Sequence, residues 1–119
     1  ELTYIASEGY SEADFRHGPI AIVQRGFPVL LVAPQGPMLP RLQDLLGVLK
    51  ERDAEIISIT NVAELGQQCY RAMRLPDVPD WLSPLLAVVP GQLFAMRQAE
   101  IRGFEVDRPR GLSKVTVTR

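Results

Sequence analysis

The residues best suited to acid–base chemistry surround the single histidine of the chain. His17 follows Arg16 and precedes a Gly-Pro step, just before an apolar run at residues 20–23. An imidazole titrates near neutral pH and can donate or accept a proton, while a Gly-Pro step restricts the backbone beside it. This placement predicts a functional site at residues 14–19. The ordinary alternative is a surface or capping histidine near a turn.

A helix interrupted by glycine and proline is predicted to present this histidine. Ser11 can cap a helix over residues 11–24, with Asp14 at the position of a capping-box acid. The Gly-Pro step must interrupt or restart that helix, which would leave His17 at a helix end. The preceding residues 1–10 fit either a strand or the end of a helix.

Two apolar runs separated by an amphipathic helix predict a parallel sheet. Residues 29–33 are apolar throughout, as in a strand covered on both faces, and residues 54–60 have the pattern of a second buried strand. From Leu39 onward, leucines recur at helical spacing between these strands. The order strand, helix, strand implies a right-handed parallel crossover.

The second half of the chain predicts two more helices and a further strand. A short helix is expected within residues 61–71 and a strand at 71–75. The longest helical pattern covers residues 82–102, where Pro90 should kink or divide the helix and Gly103 should end it. Its apolar stripe is predicted to comprise Leu82, Leu86, Val89, Leu93 and Phe94. A sheet this small should need earlier residues or a partner to complete it.

Composition and charge narrow the classes of function. The 119 residues are 46% hydrophobic and 23% charged, which is typical of one soluble domain. Thirteen basic and fourteen acidic residues leave a formal charge of -1, so no basic excess indicates binding to nucleic acid or to an anionic membrane. No apolar run approaches the roughly 20 residues that span a bilayer, and the first residues do not have the charged-then-apolar pattern of a signal peptide.

Single cysteine and histidine residues limit metal and redox chemistry. Cys69 has no partner for an intrachain disulfide, which favours a reducing, cytoplasmic location. His17 has no companion at metal-ligand spacing, so no metal site is expected. No nucleotide loop is visible, and no cofactor is predicted. Because the chain begins with Glu1 rather than Met, we interpret it as part of a longer protein.

Both ends of the chain resemble one known family. Residues 1–10 (ELTYIASEGY) and 13–21 (ADFRHGPIA) are similar to the second half of sugar isomerase (SIS) domains, where KELSYIHAEAY is followed by ELKHGP. Residues 103–117 (GFEVDRPRGLSKVTV) resemble the closing segment of that family. The pattern resembles the C-terminal SIS domain of glucosamine-6-phosphate synthases, their isomerase half, and of glucosamine-6-phosphate deaminase-like relatives. The resemblance implies a three-layer αβα sandwich with a parallel sheet, flavodoxin-like or Rossmann-like, which we expect to be incomplete here.

The resemblance also assigns chemistry to individual residues. In this family protons move between C1 and C2 of a phosphosugar as aldose and ketose interconvert. Glu1 falls at the enolisation base, His17 at the histidine that assists ring opening, and Lys114 at the tail lysine that forms an imine with the open-chain carbonyl. A carboxylate, an imidazole and an amine suit these tasks. Arg16 and Arg110 are further candidates for substrate binding.

Some residues depart from the family pattern or have ordinary explanations. Ala6 replaces a histidine that the family often has, and Asp14 replaces the glutamate of the synthases. No phosphate loop rich in serine and threonine is visible, and the loops that follow the two predicted strands have ordinary turn explanations. By position alone, Glu1 would be a solvated terminal charge and Lys114 a mobile tail lysine.

The resemblance is compatible with more than one function. The first is aldose–ketose isomerisation of a hexose or hexosamine 6-phosphate, as the isomerase part of a glutamine–fructose-6-phosphate aminotransferase-related or deaminase-like protein. It implies a sugar 6-phosphate substrate, a homodimer and a preceding SIS domain. Residues 1–106 would be part of a second SIS domain, and 107–119 a tail carrying Lys114. The alternatives are a non-catalytic regulatory module that binds a sugar phosphate, and an interaction fragment inactive on its own. Retention of Glu1, His17 and Lys114 together favours the enzyme.

Overall fold

A small parallel sheet organises the computed structural model, which describes residues 2–108. β1 (Pro28–Val32) and β3 (Arg71–Arg74) flank β2 (Glu55–Thr60), and both pairs of neighbours are parallel. The aliphatic and β-branched side chains of β1 and β2 suit a pleated, buried surface. The structure confirms the two predicted apolar strands and the strand expected near residues 71–75.

One face of the sheet carries the core, and we call it the closed face. α2 (Leu39–Glu51) connects β1 to β2, and α3 (Ala63–Gly66) precedes β3. Side chains from both helices pack against strand residues that point to this side. The buried members of this cluster are Val23, Leu31, Ala33, Leu39, Leu45, Leu46, Leu49, Ile56 and Leu65. The amphipathic pattern that begins at Leu39 is thus confirmed.

The short helix α3 ends earlier than the sequence pattern predicts. Residues 67–70 form a turn, in which the Cys69 N–H donates to the Gly66 carbonyl at 3.2 Å. The Tyr70 N–H then donates to the Ile56 carbonyl on β2 at 2.8 Å. The helix is short because the chain must already pair with the sheet at this point.

The opposite face of the sheet is covered by one long helix, α4 (Ser83–Ile101), and we call it the open face. A methyl group placed on Gly91 would lie 3.8 Å from Ile59 Cδ1 of β2, so α4 approaches the middle strand closely. β1 is not covered in the same way, since Leu30 and Val32 stay 44% and 45% exposed. The open face therefore has only partial cover among the described residues.

The apolar stripe predicted for α4 is confirmed only in part: Leu82, Leu86 and Phe94 are partly buried. Val89 and Leu93 are about half exposed, whereas the buried positions of α4 are Ser83, Ala87 and Ala99. Small side chains face inward because they let the helix approach the strands. Val89 and Leu93 were predicted wrongly because α4 is apolar on nearly every side, so the spacing of apolar residues does not fully identify the inward side.

One of the two effects predicted for Pro90 is excluded, whereas the predicted end of α4 is confirmed. Pro90 lies inside one continuous helix and does not divide it, and the kink stays a prediction. Gly103 adopts a positive φ of 74°, which suits glycine at a helix end. The N–H groups of Gly103 and Phe104 donate to the Glu100 and Ala99 carbonyls, each at 2.9 Å. These two bonds form a Schellman motif, which confirms the predicted C-terminal cap.

Helices on both faces of a parallel sheet give the three-layer α/β architecture predicted from the sequence. The sheet is partial, with three strands between residues 2 and 108. Across the same range, none of the helices combines the length and apolar character needed to cross a membrane.

Candidate functional site

The histidine of the candidate site lies at the C-terminal end of α1 (Glu12–Arg16), as predicted. Ser11 caps this helix: its Oγ accepts the Asp14 N–H at 3.1 Å and donates to the Asp14 carboxylate at 2.6 Å. The N–H of His17 donates to the Asp14 carbonyl at 3.2 Å. The local sequence thus determines both ends of α1.

The Gly-Pro step turns the chain away from α1 and into a short 3-10 helix, Pro19–Ile22. Gly18 adopts a positive φ of 153°, a conformation that side chains disfavour. Phe15 before the step and Ile20 after it both pack against the core of the closed face. His17 lies between these two anchors and is exposed to solvent.

A solvent-open hollow of about 340 Å³ lies beside His17, between α1 and α2. Its lining residues are Glu12, Ala13, Arg16, His17, Arg41 and Asp44. Guanidinium groups, carboxylates and an imidazole therefore surround one space. Such a lining offers both donors and acceptors, which suits a polar ligand.

The candidate substrate-binding residue Arg16 is held by two carboxylates. Its Nε pairs with Glu12 on the same helix, and its Nη2 lies 3.1 Å from Asp44 Oδ2 on α2. Asp44 is exposed, whereas the Glu12 side chain is only 7% exposed. Any anion that binds Arg16 must compete with these carboxylates. In this arrangement Arg16 connects α1 to α2.

Four residues of the hollow were not among the predicted site residues: Glu12 and Ala13 on α1, and Arg41 and Asp44 on α2. Arg41 and Asp44 come from the first half of α2, far from His17 along the chain. Their spacing of three places them on one side of the helix. The polar side of α2 was the available signal, but nothing local indicates that this side meets α1.

At the carboxyl edge of the sheet, Asn61 joins the loops that follow β1 and β2. Its Oδ1 accepts the Gln35 N–H at 2.7 Å, and its Nδ2 donates to Asp77 Oδ1 at 3.0 Å. Thr60 Oγ1 also donates to the Ala33 carbonyl, at 2.6 Å. The Gln35 amide is therefore already satisfied within the chain. These bonds fit the turn explanation of the two loops.

The remaining predicted site residues, Glu1, Arg110 and Lys114, lie outside the described residues. The two ends of the described chain do meet: Arg102 Nη1 donates to the Thr3 carbonyl at 2.9 Å. Neither of these two residues lines the hollow beside the histidine. The described part of the chain thus contains two separate regions of interest.

Comparison with known protein families identifies the family to which this chain belongs. The family model described as SIS domain matches residues 1–102. The chain belongs to the SIS domain family, which confirms the family predicted from the sequence.

Relatives by sequence carry one enzyme name. The glutamine–fructose-6-phosphate aminotransferase (isomerizing) of Thermococcus kodakarensis is 38% identical over 118 residues, which cover 98% of this chain and 20% of the relative. A protein of the same name from Sphingobium yanoikuyae is 34% identical over 121 residues, covering 98% of this chain and 78% of the relative. The chain thus spans about a fifth of the length of the Thermococcus protein.

A solved structure supports the fold. It is the C-terminal domain of glucosamine-fructose-6-phosphate aminotransferase from Francisella tularensis, with a TM-score of 0.78 and 24% sequence identity. The match covers 90% of this chain and 31% of that structure. The described strands and helices therefore correspond to part of a known SIS architecture.

Proposed function

We propose that this chain is the isomerase part of a protein that interconverts aldose and ketose forms of a hexose or hexosamine 6-phosphate. The protein would be related to the glutamine–fructose-6-phosphate aminotransferases or be deaminase-like. The observation that carries the proposal is the 38% identity to an aminotransferase called isomerizing, over 98% of the chain. The presence of Glu1, His17 and Lys114 at the family positions supports it.

Each of the three residues has a defined task in this proposal. Glu1 takes a proton from one sugar carbon and returns it to the neighbouring carbon. His17 donates a proton to the ring oxygen as the sugar ring opens. The Lys114 amine condenses with the open-chain carbonyl, releasing water and forming an imine. The exposure of His17 at a helix end fits a group that must reach a substrate.

The proposed protein is a cytoplasmic homodimer with a preceding SIS domain. The partial sheet and the only partly covered open face support a larger assembly. In a dimer, the hollow beside His17 could complete a site on the neighbouring subunit. We propose residues 1–106 as the partial SIS domain and 107–119 as the tail that carries Lys114.

The two arginines are proposed as secondary contacts to the sugar phosphate. Arg16 would bind it only by loosening its pairing with Glu12 and Asp44, so its effect on affinity should be modest. Arg110 belongs to the tail, four residues before Lys114.

Exchange of solvent deuterium into the substrate tests the proposal. The full-length protein, with any sequence encoded before Glu1, is incubated with fructose 6-phosphate or glucosamine 6-phosphate in deuterated buffer. We expect exchange at C1 or C2, and a loss of about 100-fold or more with His17→Ala and Lys114→Ala, since positioned acid–base groups contribute about 10²–10⁴-fold.

A lysine outside the proposed machinery provides the matched control. Lys50 contacts only Gln68 among the described hydrogen bonds, so Lys50→Ala should retain exchange. Exchange that survives both His17→Ala and Lys114→Ala would remove the catalytic assignment. Binding of the sugar phosphate without any exchange would identify the regulatory module instead.

A further inference from the structure

A contact between the two ends of the described chain involves a residue that the proposed mechanism does not use. Arg102 follows the last turn of α4, and its Nη1 donates to the Thr3 carbonyl at 2.9 Å. The two residues are 99 positions apart. The backbone at Arg102 is well defined, because the Schellman motif described above fixes the turn at Gly103.

Aromatic rings reinforce this contact. Tyr4 meets Phe104 edge to face, with ring centroids 4.9 Å apart and an interplanar angle of 86°. The Arg102 guanidinium also lies 5.7 Å from the centre of the Phe104 ring, within the range of a cation–π interaction. A hydrogen bond and a ring pair thus connect residues 3–4 to residues 102–104, while the cation–π contact holds the Arg102 side chain beside Phe104 within the second segment.

The contact joins the two stretches that carry two proposed catalytic residues. Thr3 lies two residues after Glu1, and Phe104 lies ten residues before Lys114. Ten extended residues span about 33 Å, so a tail that starts at this contact is long enough to return to it. Relative placement of a base and an amine matters, because a misplacement of about 1 Å can lower the rate about 100-fold.

We propose that Arg102 is a positioning residue: it fixes the segment that follows Glu1 against the end of α4, from which the Lys114 tail departs. The inference rests on the proposed isomerase function. Arg102 touches no reacting atom in this role and acts through the Thr3 carbonyl.

The test compares two arginines of the same region in the full-length protein. Arg102→Ala removes the donor to Thr3, whereas Arg97→Ala removes an arginine whose ion pair, with Glu100, stays within α4. The readouts are kcat and KM for deuterium exchange into fructose 6-phosphate, and hydrogen exchange of the Ile5 amide. This amide donates to Thr3 Oγ1 at 3.4 Å and reports on the order of the segment.

We expect Arg102→Ala to lower kcat at least tenfold with KM within about twofold, and to speed amide exchange at Ile5. Arg97→Ala should match the wild type in both readouts. Arg102→Lys should recover part of kcat, because an ammonium can also donate to a carbonyl.

The outcomes separate this inference from the function it rests on. Equal kcat for Arg102→Ala and Arg97→Ala in an active protein overturns the positioning role and leaves the isomerase proposal intact. A kcat loss with Arg102→Ala but no change in Ile5 amide exchange also overturns it. No deuterium exchange by the wild type overturns the isomerase proposal itself.

Discussion

On the closed face of the sheet, leucines from α2 and α3 are shielded from solvent, whereas the open face leaves similar side chains uncovered. Leu49 and Leu65 are 0% exposed, whereas Leu30 of β1 on the open face is 44% exposed, and Leu85, on the outer side of the helix that covers this face, is 66% exposed. Both faces are rich in aliphatic residues, so residue type does not separate them. The two faces differ instead in the number of elements that cover them.

The difference shows that apolar character permits burial without ensuring it. No charged residue occurs in α4 from position 83 to 96. A helix that is apolar on all sides is typical of the interior of a larger protein. Within this chain, however, most of that surface adds little to stability. Substitutions of one type should therefore have unequal effects on the two faces.

The largest difference is expected for truncation of leucine. Leu49→Ala removes a fully buried side chain from the closed face and should lower the free energy of unfolding by about 2–5 kcal/mol. Leu85→Ala, on the exposed side of α4, should change it by less than about 0.5 kcal/mol. Urea unfolding of the two variants measures both effects. Equal losses would contradict the contrast between the faces.

A buried hydroxyl on the closed face should give the next largest effect. Thr60 Oγ1 donates to the Ala33 carbonyl at 2.6 Å and accepts the Val62 N–H at 3.0 Å. Thr60→Val leaves both backbone groups unpaired and should lower the free energy of unfolding by about 1–3 kcal/mol. Thr60→Ser keeps the hydroxyl and serves as the control in the same urea titration. A smaller loss in Thr60→Val than in Thr60→Ser would refute this explanation.

The opposite change in the free energy of unfolding is expected when the neighbouring buried hydroxyl of β2, that of Ser58, is removed. Ser58 is 0% exposed, and its Oγ has no hydrogen-bond partner among the described residues. Because burial of an unpaired hydroxyl is unfavourable, Ser58→Ala should leave the free energy of unfolding unchanged or raise it by up to about 1 kcal/mol. Thermal unfolding can measure this. A clear loss of stability would mean that Ser58 has a bonding partner in solution.

The smallest difference in stability between the two faces is expected for two glycines at helix–sheet contacts. Gly91→Ala on the open face should raise the free energy of unfolding by about 0.5–1 kcal/mol, because alanine favours a helix interior and the new methyl would lie 3.8 Å from Ile59 Cδ1. On the closed face, a methyl on Gly66 would lie 3.1 Å from Ala72 Cβ, so Gly66→Ala should gain nothing. Thermal unfolding of both variants measures these changes. A larger gain in stability for Gly66→Ala than for Gly91→Ala would contradict the prediction.

Sequence patterns predicted the elements that have a clear local signal. β1 and β2 were predicted from apolar runs of strand length, and α2 from leucines at helical spacing. The inward side of α4 was not, because an apolar helix has no distinct polar side. The length of α3 was also missed, since pairing of Tyr70 with β2 ended the helix early. These errors arise where tertiary contacts override local preference.

The candidate site likewise contains residues whose position could be predicted from local sequence and residues whose position could not. The position of His17 at a helix end followed from Ser11 and the Gly-Pro step, which are local signals. Arg41 and the Thr3–Arg102 contact come from distant parts of the chain, so no local pattern indicated them. The roles of Glu1, His17, Lys114 and the arginines stay predictions.

The order of the strands has a consequence for synthesis on the ribosome. β1, β2 and β3 lie beside one another in the order in which they are translated. Mostly short-range contacts favour fast folding, and N-terminal parts fold first during synthesis. We expect the sheet to be ready before the last turn of α4 leaves the exit tunnel. The long apolar helix α4 would then emerge next to β2, the strand against which it packs. This order of synthesis limits the exposure of α4 to chaperones and to other unfolded chains.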